Sequence, residues 1–126
     1  MRLLLDTHAF LWWVMDDRRL GVKARTAIAD PSSVVHVSAA SCWEMAIKAA
    51  LGRLTLGDTD LEAEIPANGF VGLPITAGHA FRAGALPRHH ADPFDRMLVA
   101  QALAEELVLV THDPLLGRYG AALLAT

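Results

Sequence analysis

The chain has 126 residues, enough for a single domain around one hydrophobic core and too few for two. At 53% hydrophobic and 20% charged it reads as a folded globule rather than a disordered segment, and its net charge of −3 lacks the Lys/Arg excess of a general nucleic-acid binder. The lone cysteine, Cys42, excludes an intrachain disulfide and a cysteine-based zinc site.

The opening run Arg2-Leu3-Leu4-Leu5 predicts a short buried strand that turns at Asp6. Residues 8–15 and 21–29 read as helices, Asp30-Pro31-Ser32-Ser33 as a loop, and Val34-Val35-His36-Val37 as the second strand. Ser38 to Leu51 predicts a helix closed by Gly52 in the position after its C-cap. A helix near Asp60–Ile65, a strand around Phe70–Ile75 and a helix over Thr76–Gly84 follow. The loop 86–91 leads to Asp92-Pro93, which opens a helix running to about Glu106. Leu107-Val108-Leu109-Val110 is the next buried strand, a short helix starts at Asp113-Pro114, and Ala121–Leu124 is a last edge strand. Strands separated by helices predict βαβ units and a parallel sheet covered on both faces. No apolar run is long enough to span a membrane, and Asp6 interrupts the first apolar stretch where a secretory signal would continue, so a cytoplasmic protein is expected.

In parallel sheets, ligands bind beyond the carboxyl ends of the strands, and five acids are placed in the sequence to converge at that edge if the strands are ordered to bring them together. Asp6 follows the first strand and Asp113 the strand 107–110. Glu44 lies in the first turns of the helix after the second strand, and Asp92 and Asp95 open the helix before strand 107–110. Each has a purely structural explanation. Asp6, Asp92 and Asp113 are placed to cap helices, Ser41-Cys42-Trp43-Glu44 matches a capping box, and Glu44 is four residues before Lys48. Converging carboxylates, however, repel one another more than capping offsets, and such a cluster calls for protons or divalent cations. All-oxygen ligands point to Mg²⁺ or Mn²⁺.

The blocks LLLDTHAFLWW, VSAASCWEMAIKAALGRL and HHADPFDRMLVAQA, followed by VTHD, resemble the PIN-domain ribonucleases and, within them, the VapC toxins; the likeness covers nearly all 126 residues. It implies one PIN domain over 1–126, a PIN-like α/β/α sandwich with a central, mostly parallel sheet of four or five strands. It assigns the family's four acids to Asp6, Glu44, Asp95 and Asp113, with Asp92 as a helper, and bracing hydroxyls to Thr7, Ser38 and Thr111. It implies a metal-dependent endoribonuclease using Mg²⁺, for which Mn²⁺ substitutes, that leaves 5′-phosphate and 3′-hydroxyl ends. It also implies a homodimer and a VapB-like antitoxin as partner in a type II toxin–antitoxin pair.

Arg88, Arg96, Arg118, Lys48 and Arg53 are candidate phosphate contacts. His89-His90 reads first as a polar loop before a helix and second as metal ligands or acid–base groups beside Asp92, and His8, His112 and this pair come near the site if Asp6, Asp113 and Asp95 do. Apolar residues on more than one face of 10–15, including Trp12-Trp13, predict a surface left for a partner. Two other acidic-site folds fit poorly. A receiver domain needs a late lysine, and none follows Lys48; a haloacid-type phosphatase needs D-x-D after strand one, where His8 stands instead. A PIN-like module that binds RNA or protein without cutting is the remaining alternative.

Overall fold

A computed structural model describes residues 1–126. Five strands, β1 (Arg2–Leu5), β2 (Val34–Ser38), β3 (Val71–Leu73), β4 (Val108–Thr111) and β5 (Leu123–Ala125), form one sheet in the order β3-β2-β1-β4-β5, and every pairing is parallel. The helices are α1 (Thr7–Val14), α2 (Val22–Ala29), α3 (Ala39–Ala50), α4 (Leu61–Ala67), α5 (Ala77–Ala85) and α6 (Pro93–Glu105), with a 3₁₀ turn over Pro114–Tyr119.

β1 is the central strand, so both its faces are covered and it reads as an unbroken leucine run: Leu3, Leu4 and Leu5 are each fully buried. Alternation sends them to opposite layers. Leu3 and Leu5 pack with Phe10, Ala24, Ile28, Val35, Val37 and Val110, the layer of α1 and α2. Leu4 packs with Leu98, Val99, Ala102, Leu109 and Leu116, the layer of α6 and the 3₁₀ turn. From β1 the chain winds outward through β2 and β3, then returns to the other side of β1 as β4. The strand order therefore reverses between β1 and β4, and the crevice beyond their carboxyl ends is where this architecture places a ligand.

Element boundaries move by one or two residues from those expected from the sequence. α1 begins at Thr7, β4 covers Val108–Thr111, β3 contracts to Val71–Leu73 and β5 lies at Leu123–Ala125. Gly52 does close α3, at φ +72°, a left-handed geometry that a side chain would strain. The apolar surplus of 10–15 is largely taken by the core: Phe10, Leu11 and Trp12 are buried, Trp13 and Val14 partly so, and Met15 alone is exposed. Trp13 packs on Phe70 and donates its indole N–H to Asn68 Oδ1 at 3.1 Å, so α1 is wedged between the sheet and the α4–β3 segment. No helix is long and apolar enough to cross a membrane.

Candidate active site

Asp6 is the residue after β1, and its position is enforced twice. Its backbone N–H continues the sheet to Val110 O at 3.0 Å, and its Oδ1 caps α1 by accepting from the Ala9 N–H at 2.7 Å. Oδ2 is left facing His112 Nδ1 at 3.8 Å. Asp113 repeats the arrangement after β4. Its Oδ1 accepts from the Leu115 N–H at 2.9 Å, capping the 3₁₀ turn, and its Oδ2 accepts from His90 Nε2 at 3.0 Å. Asp92 caps α6 through Oδ1, which accepts from Phe94 and Asp95 N–H at 2.8 and 3.3 Å. Capping and convergence are thus compatible: for Asp6 and Asp113, one carboxylate oxygen fixes the backbone and the other points into the crevice.

Glu44 differs from its sequence reading. α3 begins two residues before Ser41, with Ser38 as the N-cap accepting from the Ala40 N–H at 3.0 Å, so the Ser41–Glu44 capping box does not form. Glu44 sits instead in the second turn of α3. It is buried and accepts from the Thr7 hydroxyl at 2.6 Å through Oε1, while its Oε2 pairs with Lys48 Nζ at 2.8 Å. The Thr7 hydroxyl also lies 3.1 Å from Ser41 Oγ. Ser38 Oγ donates to the fully buried Gln101 at 2.6 Å, tying the start of α3 to α6.

Asp6, Glu44, Asp92, Asp95 and Asp113 line one pocket of about 140 Å³ together with Thr7, His8, Lys48, Thr111 and His112; no apolar side chain contributes to its wall. All five acids expected from the sequence are brought together. Of the three hydroxyl residues, Thr7 and Thr111 line this pocket, whereas Ser38 acts from behind as cap and tether.

The crowding is visible in the acids' proton affinities. Burial, then the neighbouring Asp92 charge, pushes the Asp95 carboxyl up to about 7, with His90 opposing and Asp6 and Glu44 adding to the rise. Burial also raises Asp6, opposed by its hydrogen bond from Ala9, the Thr111 hydroxyl and the imidazoles of His8 and His112. Burial lowers His8, against the pull of Asp6, which favours a neutral imidazole. Lys48 is the one lysine in the wall, and it is paired with Glu44. The donor set is therefore rich in hard oxygens and short of positive charge, a composition that fits a divalent cation.

His8, His90 and His112 all come to the site. His90 Nδ1 accepts from the Asp92 N–H at 3.1 Å, which puts the ring proton on Nε2, between Asp113 Oδ2 at 3.0 Å and Asp95 Oδ2 at 3.5 Å. His8 and His112 stand edge to face, 4.9 Å between centroids, beside Asp6. Ligand atoms of Asp6, His8 and His112 lie within 4.8 Å of one another, as do those of His90, Asp95 and Asp113. The sequence signal for His90 is the His89-His90 pair beside Asp92.

Among the expected phosphate contacts, Lys48 is in the pocket wall and held by Glu44. Arg96 is turned back on the chain, donating to the carbonyls of Pro87, Ala83 and Leu86, each at 3.0 Å.

A five-stranded parallel α/β sandwich with a carboxylate-walled pocket at its switch point defines the class of this protein. Comparison with known proteins makes that class specific. The PIN domain pattern matches residues 3–122. The chain is 34% identical over 113 residues to Ribonuclease VapC22 of Mycobacterium tuberculosis, covering 88% of this chain and 86% of that protein. The chain therefore belongs to the PIN-domain family, among the VapC proteins. Its fold is similar to that in VapBC2 from Rickettsia felis bound to a DNA fragment from its promoter (TM-score 0.75, 15% identity, 100% of this chain and 99% of that one). It is also similar to that in DNA-bound VapBC from Salmonella typhimurium (TM-score 0.72, 17% identity, 99% and 98%).

Proposed function

We propose that this chain is a divalent-cation-dependent endoribonuclease and the toxin of a type II toxin–antitoxin pair, with Mg²⁺ as its cation and Mn²⁺ as a substitute. The observation that carries the reading is the meeting of Asp6, Glu44, Asp92, Asp95 and Asp113 in one polar pocket at the switch point of the sheet. Kinship with a protein named as a ribonuclease, and likeness to chains from VapBC complexes, support the substrate class and a VapB-like antitoxin partner. A homodimer is expected on the same kinship.

Asp6, Glu44, Asp95 and Asp113 would hold the cation, with Asp92 contributing charge from its capping position. When bound, the cation supplies Lewis-acid stabilisation of phosphoryl charge and lowers the pKa of water to near neutrality. The chain's own residues fix the pocket around it. The capping bonds of Asp6 and Asp113 hold those carboxylates against rotation. Thr7 and Lys48 hold both oxygens of Glu44. His90, its Nδ1 taken by the Asp92 N–H, turns Nε2 between Asp95 and Asp113, a donor that reduces their mutual repulsion. No side chain is required as a covalent nucleophile.

The test is incubation of purified, partner-free protein with total structured cellular RNA and Mg²⁺ or Mn²⁺, beside an EDTA control and Asp6→Asn. Discrete products that need the cation and vanish in the variant are expected. Wild-type protein that binds the cation and RNA but leaves the RNA whole would overturn the enzymatic reading.

A further inference from the structure

A second cavity, about 510 Å³, opens beside the acidic pocket and is lined by Gly84, Arg88, His89, His90, Ala91 and Arg96. Its charge is opposite in sign to that of the pocket. Arg96 donates to the carbonyls of Ala83, Leu86 and Pro87, with longer contacts to His90 O at 3.4 Å and Tyr119 Oη at 3.5 Å. Those neutral acceptors satisfy its N–H groups without cancelling its charge. Neither Arg96 nor the exposed Arg88 has a carboxylate within salt-bridge distance. The guanidinium of Arg96 is thus fixed in place, while its field remains available to an anion.

His90 is the wall between the two spaces: it lines the basic cavity, and its Nε2 contacts Asp113 and Asp95 of the acidic pocket. An anion drawn to Arg88 and Arg96 therefore lies next to a cluster of carboxylates, which repels a compact polyanion. A chain of separated phosphates suits both spaces, with one phosphate at the cation in the acidic pocket and a neighbouring one in the basic cavity. The His89 ring stands edge to face with Tyr119, 5.1 Å between centroids, giving the cavity an aromatic rim suited to a ribose or base.

The geometry points to a backbone-phosphate subsite for single-stranded RNA in this cavity. Arg88 and Arg96 supply its charge, His89 forms its rim, and it lies one step along the strand from the phosphate that is cut. It rests on the ribonuclease reading above and sets where the strand runs away from the acidic pocket. Such a contact positions RNA without reading its sequence.

The test measures binding apart from cleavage. Affinity of the full chain for a fluorescent single-stranded RNA is taken in EDTA over a series of salt concentrations, for wild type, Arg88→Ala, His89→Ala and the charge control Lys23→Ala. Lys23 is exposed on α2. Arg88→Ala is expected to weaken binding about 3- to 10-fold near 0.1 M salt. It should also flatten the slope of log affinity against log salt by about 0.7, the value for one phosphate on a single strand. Lys23→Ala should leave both unchanged, and equal melting temperatures of wild type and Arg88→Ala show that the loop still folds. Unchanged affinity and slope in both Arg88→Ala and His89→Ala would overturn the subsite. So would a poly-glutamate peptide that binds wild type more tightly than RNA and loses affinity in Arg88→Ala, since the cavity would then suit an acidic protein. RNA bound through Arg88 yet never cut in Mg²⁺ leaves the subsite standing and removes the ribonuclease reading. RNA cut and bound equally well by wild type, Arg88→Ala and His89→Ala does the reverse.

Discussion

Asp95→Asn removes the carboxyl whose ionisation the fold opposes most clearly. Burial and Asp92 push it to about 7 from an ordinary 3.8. Below about pH 4 the group is protonated in both folded and unfolded chains and contributes nothing. Between about 4 and 7 the folded chain holds the extra proton, so stability falls as pH rises, and above 7 the loss is complete. Each pKa unit corresponds to about 1.4 kcal/mol, which sets a ceiling of about 4 kcal/mol at pH 8. The side chain is 27% exposed, so water relieves part of the cost, and about 2 kcal/mol is the expected size. For a chain of this length that is a rise in Tm of roughly 8 °C for the cation-free variant at pH 8. At pH 5 the gain should shrink to less than half. With saturating Mg²⁺ the order should reverse, because the wild type gains about 2.7 kcal/mol at 100 times its Kd and the variant, lacking a ligand, gains less. Thermal melts at pH 5 and pH 8, in EDTA and in Mg²⁺, read all four conditions. A cation-free Tm difference that is the same at both pH values, or a variant less stable than wild type at pH 8 in EDTA, would refute the argument that the acids are held together against their charge.

Three further substitutions probe the scaffold. Thr7→Val deletes the 2.6 Å donor to buried Glu44 and should cost about 1–3 kcal/mol in denaturant melts. In a cleavage assay it should lower kcat more than RNA affinity. Ser38→Ala removes the cap of α3 and the bond to Gln101; a loss of about 1–2 kcal/mol is expected by the same melts, and one below about 0.5 kcal/mol would show that the tether is dispensable. Arg96→Lys keeps the charge but loses the planar fork that gathers the carbonyls of 83, 86 and 87. It should cost about 2 kcal/mol and speed proteolysis within residues 83–91, without changing the cleavage rate of the remainder of the chain.

The fold was legible where one strong pattern acted alone. The leucine run of β1 and the run ending in Val110 read as buried strands because β1 and β4 are the inner strands around the switch point, covered on both faces. The alternation of strand and helix gave the layers. Boundaries moved where local signals competed. Ser38 and Ser41 are both good caps, and sequence alone does not show that the sheet carries the chain only to Ser38, leaving Ser41 buried against Thr7. The acids stood at the right edge because each follows a strand or starts a helix there. Their convergence depends on strand order, which no local pattern encodes. His90 was underestimated for the same reason: its partners Asp95 and Asp113 come from α6 and the end of β4, and its ring is aimed by a bond from the Asp92 backbone. Trp12 and Trp13 show how core burial takes up much of an apolar run: Trp12 is buried beside His8 and His112, and Trp13 lies against Phe70.

The most direct test of the account is to titrate Mn²⁺ into the protein and read binding and RNA cleavage on the same samples, for wild type, Asp6→Asn and Asp113→Asn. The account predicts that cleavage rises with occupancy of the acidic pocket, that the half-maximal Mn²⁺ concentrations coincide, and that both variants lose cation affinity and cleavage together. Cleavage that persists in excess EDTA, or that survives in either variant after its cation binding is gone, would show that the acidic pocket is not where the RNA is cut.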